Sequence, residues 1–60
     1  MITLDQQIAS VRREIGMRER VYPAFVRSGK IKPENASYEL DAMKAVLATL
    51  ESLRAAQVPA

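Results

Sequence analysis

The run Gly29-Lys30-Ile31-Lys32-Pro33 decides what this chain can fold into. Glycine suits the left-handed position just past a helix end, and proline, with no N–H to donate, fits the first turn of the helix that follows. Apolar residues recur at helical spacing on both sides of this break, and a connection so short makes the two helices antiparallel neighbours. The expected fold class is therefore all-α. It is an antiparallel two-helix hairpin over residues 1–60, with helix 1 at about 3–28, a turn at 29–32 and helix 2 at about 33–57.

Helix 1 has a defined start. Thr3 followed by Gln6 has the spacing of a capping box, in which the hydroxyl accepts from the third helical N–H and Gln6 reaches back. Leu4, Ile8, Val11, Ile15, Tyr22 and Val26 then fall on one stripe at 3.6 residues per turn. Arg18 stands where that stripe calls for an apolar residue, and its stem can lie along the seam while the guanidinium reaches the edge. Pro23 has no N–H for the Glu19 carbonyl, so a bend is expected there, with the helix continuing to about Ser28. In helix 2, Ala36, Leu40, Met43, Leu47 and Leu50 alternate by four and three as a heptad seam, and the helix should end near Gln57, before Pro59.

Sixty residues allow one small core, burying about 60% of the surface of the unfolded chain. The chain holds no Cys and no His, so disulfides and the common zinc sites are excluded as staples. Oligomerisation is the device that remains. Met17, Val21 and Phe25 form a second stripe on helix 1, and Val46 and Leu53 stand to one side of the helix 2 seam, with Ala42, Ala45 and Ala48 widening the low surface. One hairpin cannot cover both faces of both helices. The surplus is expected to be a homo-oligomer interface in a helical bundle, or a docking groove for another protein.

Charge is divided unevenly along the chain. Residues 1–32 carry seven basic groups against three acidic ones, a net of +4, while residues 33–60 carry a net of −2. Oppositely charged antiparallel helices attract along their edges, and the same asymmetry would also serve an anion-binding role. Within the basic half, Arg18, Tyr22, Arg27, Lys30 and Lys32 place aromatic surface among cations, which suits a phosphate or a stacked base. The structural reading of the same residues is a closed core end with a solvated rim. Tyr38, on the outer side of helix 2, reads as the rim of an interface.

Catalysis is not expected. Without His or Cys, the nucleophile-base pairs of acyl transfer have no base, and the serines stand without one. Glu14 with Arg18, and Asp41 with Lys44, are spaced as solvated helix pairs. No metal and no cofactor is expected. For duplex DNA the pattern is weak, because Arg12, Arg13 and Arg20 are interleaved with acids. The chain has no apolar run long enough to cross a membrane and no signal-peptide pattern at its start, so a cytoplasmic setting is expected.

The segment REIGMRERVYPAFVRSGKI, from Arg13 to Ile31, followed by Ala36, Glu39, Met43 and TLESL at Thr49 to Leu53, resembles small uncharacterised proteins of bacteriophage and prophage genomes. That resemblance spans nearly the whole chain. It implies a phage accessory protein inside a bacterial host cell, and it brings no active site with it. Such a protein would occupy a host protein or sequester a small anionic ligand such as a nucleotide, including as counter-defence. A nucleic-acid-binding regulator and a structural assembly element are the alternatives.

Overall fold

The computed structural model describes residues 1–57, and Pro59 lies outside them. Two helices make up the architecture, α1 over Leu4–Arg27 and α2 over Pro33–Gln57, packed side by side in a body of 48 × 19 × 16 Å. No strand occurs among the described residues. The chain is the antiparallel hairpin that its turn and periodicity predict.

Both ends of α1 are closed by the residues that the sequence offers for it. Gln6 N–H donates to the Thr3 hydroxyl at 3.1 Å and Thr3 N–H donates to the Gln6 side chain at 2.8 Å, which completes the capping box. At the other end Ser28 caps the helix and Gly29 takes φ +81°. Lys30 N–H donates to the Phe25 carbonyl at 2.9 Å and Gly29 N–H to the Val26 carbonyl at 3.2 Å. This is the Schellman pattern, and the left-handed residue it requires is the one without a Cβ. The Ser28 hydroxyl adds a bond of 3.2 Å to the Phe25 carbonyl, which also accepts from Ile31 N–H at 3.3 Å. The Lys32 carbonyl then accepts from Asn35 and Ala36, both at 3.0 Å, and Pro33 opens α2 where no N–H is needed.

α1 runs unbroken through Pro23. Its ring lies on the exposed side of the helix, where the carbonyl it fails to satisfy can reach water.

The core is a thin strip. Ile8 and Ile15 from α1 and Ala36 from α2 are buried, while Leu4, Val11, Tyr22, Val26, Leu40, Met43, Leu47 and Leu50 are half-buried. Two cylinders in contact shield only the strip between them, so most seam residues keep a water-facing side. The heptad positions are those foreseen, but their burial is shallower.

Ion pairs line the seam. Arg12 meets Glu51 at 2.5 Å, Lys44 meets Glu19 at 3.8 Å, Arg18 meets Glu39 at 3.5 Å, and Arg54 pairs with Asp5. All four cross from one helix to the other. Asp41 with Lys44, expected as a pair along α2, does not form, because Lys44 reaches across to Glu19 instead. Exposed pairs of this kind contribute only about 0–1 kcal/mol each. Their larger effect is on register, since a slip of one helical turn would break all four together.

Ile15→Ala should cost about 2–5 kcal/mol, because a buried residue leaves a cavity in a core with few others. Leu47→Ala, at a half-buried site, should cost less. Urea melts followed by circular dichroism at 222 nm give the order, and equal losses would mean that Leu47 is buried further by a contact outside the hairpin.

Candidate functional site

Two features were expected to carry function, an aromatic and basic cluster near the turn and an uncovered apolar side. The structure treats their members differently.

Arg18 is the most engaged of the cations. It donates from Nε to Glu14 at 2.8 Å and from Nη1 to Glu39 at 3.5 Å, with its side chain 23% exposed. Its guanidinium is held above the ordinary arginine value, chiefly by the hydrogen bond to Glu14, then by the nearby Tyr22, Glu14 and Glu39 charges, with burial opposing. A raised value means the charged form is favoured by folding. That contribution requires Glu14 and Glu39 to be ionised and is lost as pH rises through the raised value. Arg18 thus works as a clamp between the helices, and it is not a free cation awaiting an anion.

Tyr22, near Arg18, also faces the space between the helices. It lines a groove of about 440 Å³ with Pro23 and Val26 of α1 and Pro33, Ala36 and Leu40 of α2. Its ring centroid stands 6.4 Å from that of Phe25. On the Phe25 ring rests the Lys30 ammonium, 5.1 Å from the centroid, a cation–π contact that uses part of the Lys30 charge. Arg27, Lys30 and Lys32 remain exposed around the turn and make no ion pair among the described residues. Of the five residues foreseen as a ligand site, these three are exposed near the turn and unpaired among the described residues. Arg18 and Tyr22 serve packing and register.

The apolar side divides in the same way. Met17, Val46 and Leu53 are exposed, at 43%, 45% and 48%. Val21 and Phe25 are half-buried, which corrects their placement on a wholly open face: the hairpin itself uses part of each. At about 100° per residue Val21 and Phe25 share an edge of α1 with Arg18, and Val46 and Leu53 share an edge of α2 with Glu39. The Arg18–Glu39 pair ties those edges together, so Val21, Phe25, Val46 and Leu53 lie on one side of the hairpin, while Met17 lies on the outer surface of α1 with Arg13 and Arg20. The Lys44–Glu19 and Arg12–Glu51 pairs run along the other side.

One region escaped the sequence reading altogether. Gly16, with Ser10, Arg13, Met17 and Arg20, lines a shallow hollow of about 780 Å³ on the outer surface of α1. A side chain there would meet nothing within 4 Å, so the glycine is open to whatever approaches. Its signal in the sequence was a helix-interior glycine flanked by arginines at i−3 and i+4. No group of three or more His, Cys, Asp or Glu that could hold a metal occurs among the described residues. No helix among them is long and apolar enough to cross a membrane.

Comparison of the chain with protein-family models, with curated proteins and with solved structures gave no match. The functional reading therefore rests on the chemistry of the surfaces described above.

Because Arg18 joins two acids and two helices, Arg18→Ala should lower the melting temperature more than Arg13→Ala, whose side chain bonds only Ser10 of its own helix at 3.2 Å. Thermal melts at low salt measure the difference. Equal shifts would remove Arg18 from the clamp.

Proposed function

We propose that this chain acts as a non-catalytic binding protein whose working form is an oligomer, joined through the exposed residues Met17, Val46 and Leu53. The observation behind this reading is the balance of burial. Three residues are buried by the hairpin, and Met17, Val46 and Leu53 are left in water. A second hairpin laid over these would cover them and deepen the burial of Val21 and Phe25, giving the four-helix arrangement that such hairpins favour. The same contact would enclose the Arg18 network, whose charges are already paired, so the cost of taking them from water is partly met.

A partner or ligand would then be met at the closed end of the hairpin. Lys30 and Lys32 stand there with no ion-pair partner among the described residues, which favours a small anionic ligand, a nucleotide included. If the chain is of the phage and prophage kind that it resembles, it would act inside a bacterial cell and sequester a host component. Capture of a host protein is the second reading, favoured by the groove beside Tyr22, whose lining is mostly apolar. A nucleic-acid-binding regulator and a structural assembly element would use the same oligomer differently.

Light scattering on a sizing column tests the core of the proposal. The native chain should exceed the monomer mass of 6.7 kDa, and Met17→Glu should reduce that mass toward the monomer. An unchanged mass would move the interface elsewhere. Native mass spectrometry should show an anionic small molecule that is lost in a Lys30→Ala, Lys32→Ala variant.

A further inference from the structure

The outer backs of the two helices, away from both the seam and the apolar side, carry opposite charges at the same interval. On α1, Arg20 and Arg27 are seven residues apart, and on α2, Glu34 and Asp41 are seven apart, so each pair spans about 10.5 Å of helix. All four are exposed. None has an ion-pair partner among the described residues, although Arg12, Arg18, Glu39 and Glu51 all do. The acids interleaved in α1, Glu14 and Glu19, are turned to Arg18 and Lys44, which clears the back of α1 for Arg20 and Arg27.

We propose that the back of α1 docks on the back of α2 of a second copy of this chain, so that hairpins join side by side in head-to-tail fashion. The register supports this. Within the hairpin, position 12 faces 51, 19 faces 44 and 5 faces 54. A second hairpin moved sideways, with no slip along the helix axes, keeps that register across the new contact and sets Arg27 against Glu34 and Arg20 against Asp41. At about 100° per residue both charge pairs lean toward the same side of the hairpin, the side of the Lys44–Glu19 bridge, so they meet without rotation.

The uncharged residues agree with the same placement. Tyr38, 70% exposed, comes to the height of Ala24, a small residue against which its ring can lie. Gly16, which has open space where a Cβ would stand, comes opposite Ala45, and two small residues there let the helices approach closely. This contact does not use Val46 or Leu53, although Met17 borders it beside Gly16 and Arg20. It is heterologous, since different surfaces meet, and so can repeat from copy to copy.

Charge reversal with the full chain tests it by native mass spectrometry and light scattering. Arg20→Glu with Arg27→Glu should weaken assembly at least tenfold in dissociation constant, and Glu34→Arg with Asp41→Arg should do the same, with circular dichroism unchanged. Mixing the two double variants one to one should restore assembly, because each then supplies the charge the other lacks. The fourfold variant carrying all these changes should assemble by itself. Unchanged masses in either double variant, a strictly monomeric native chain, or loss without recovery on mixing would overturn the proposal. Val46→Glu separates the two surfaces. Assembly that survives Val46→Glu but yields to charge reversal supports the back-to-back contact and removes the apolar one, and the opposite pattern overturns it.

Discussion

Everything in this molecule follows from the narrowness of the contact between two helices. A pair of cylinders can shield one strip, and here that strip is Ile8, Ile15 and Ala36, with a margin of half-covered Leu, Val and Met side chains. Apolar burial of that extent is modest for a chain of this size, and no cross-link or metal site is available to supplement it. The hairpin is supplemented by electrostatic pairing along its edges.

Charge takes on the task of alignment that a deeper core would otherwise perform. Apolar side chains at heptad positions can shift by one turn and still bury much of the same area, so the seam alone specifies register weakly. Four cross-helix ion pairs spaced along the length remove that freedom even though each contributes little energy. Arg18 is the clearest case. It interrupts the apolar stripe of α1 at the level where Glu14 and Glu39 can both reach it, so an alternative register would leave the half-buried guanidinium with Glu14 alone.

The hairpin was legible in the sequence because its signals are local: Thr3 and Gln6 at one end, Gly29 and Pro33 at the turn, and a period of 3.6 between. The pairing of charges was less so. Asp41 and Lys44 have good spacing within one helix, yet Lys44 bonds Glu19, since the choice between partners depends on register and not on sequence distance. The same applies to the candidate ligand site. Arg18, Tyr22, Arg27, Lys30 and Lys32 are near one another along the chain, but at about 100° per residue a helix distributes neighbours around its axis. Arg18 and Tyr22 turn toward the other helix, and only the residues at and beyond the end of α1 stay together. The Gly16 hollow was missed because a helical glycine has no chemistry of its own and gains meaning only from what surrounds it.

The short closed turn has a practical consequence. Since α1 and α2 run antiparallel from a reversal of a few residues, Met1 and Gln57 both lie at the end opposite the turn, about 35 Å from it at 1.5 Å per helical residue. A fluorophore, an affinity handle or a surface tether placed at that end stays clear of Arg27, Lys30 and Lys32. The molecule can be immobilised or labelled from one pole while the other is presented freely to whatever it meets.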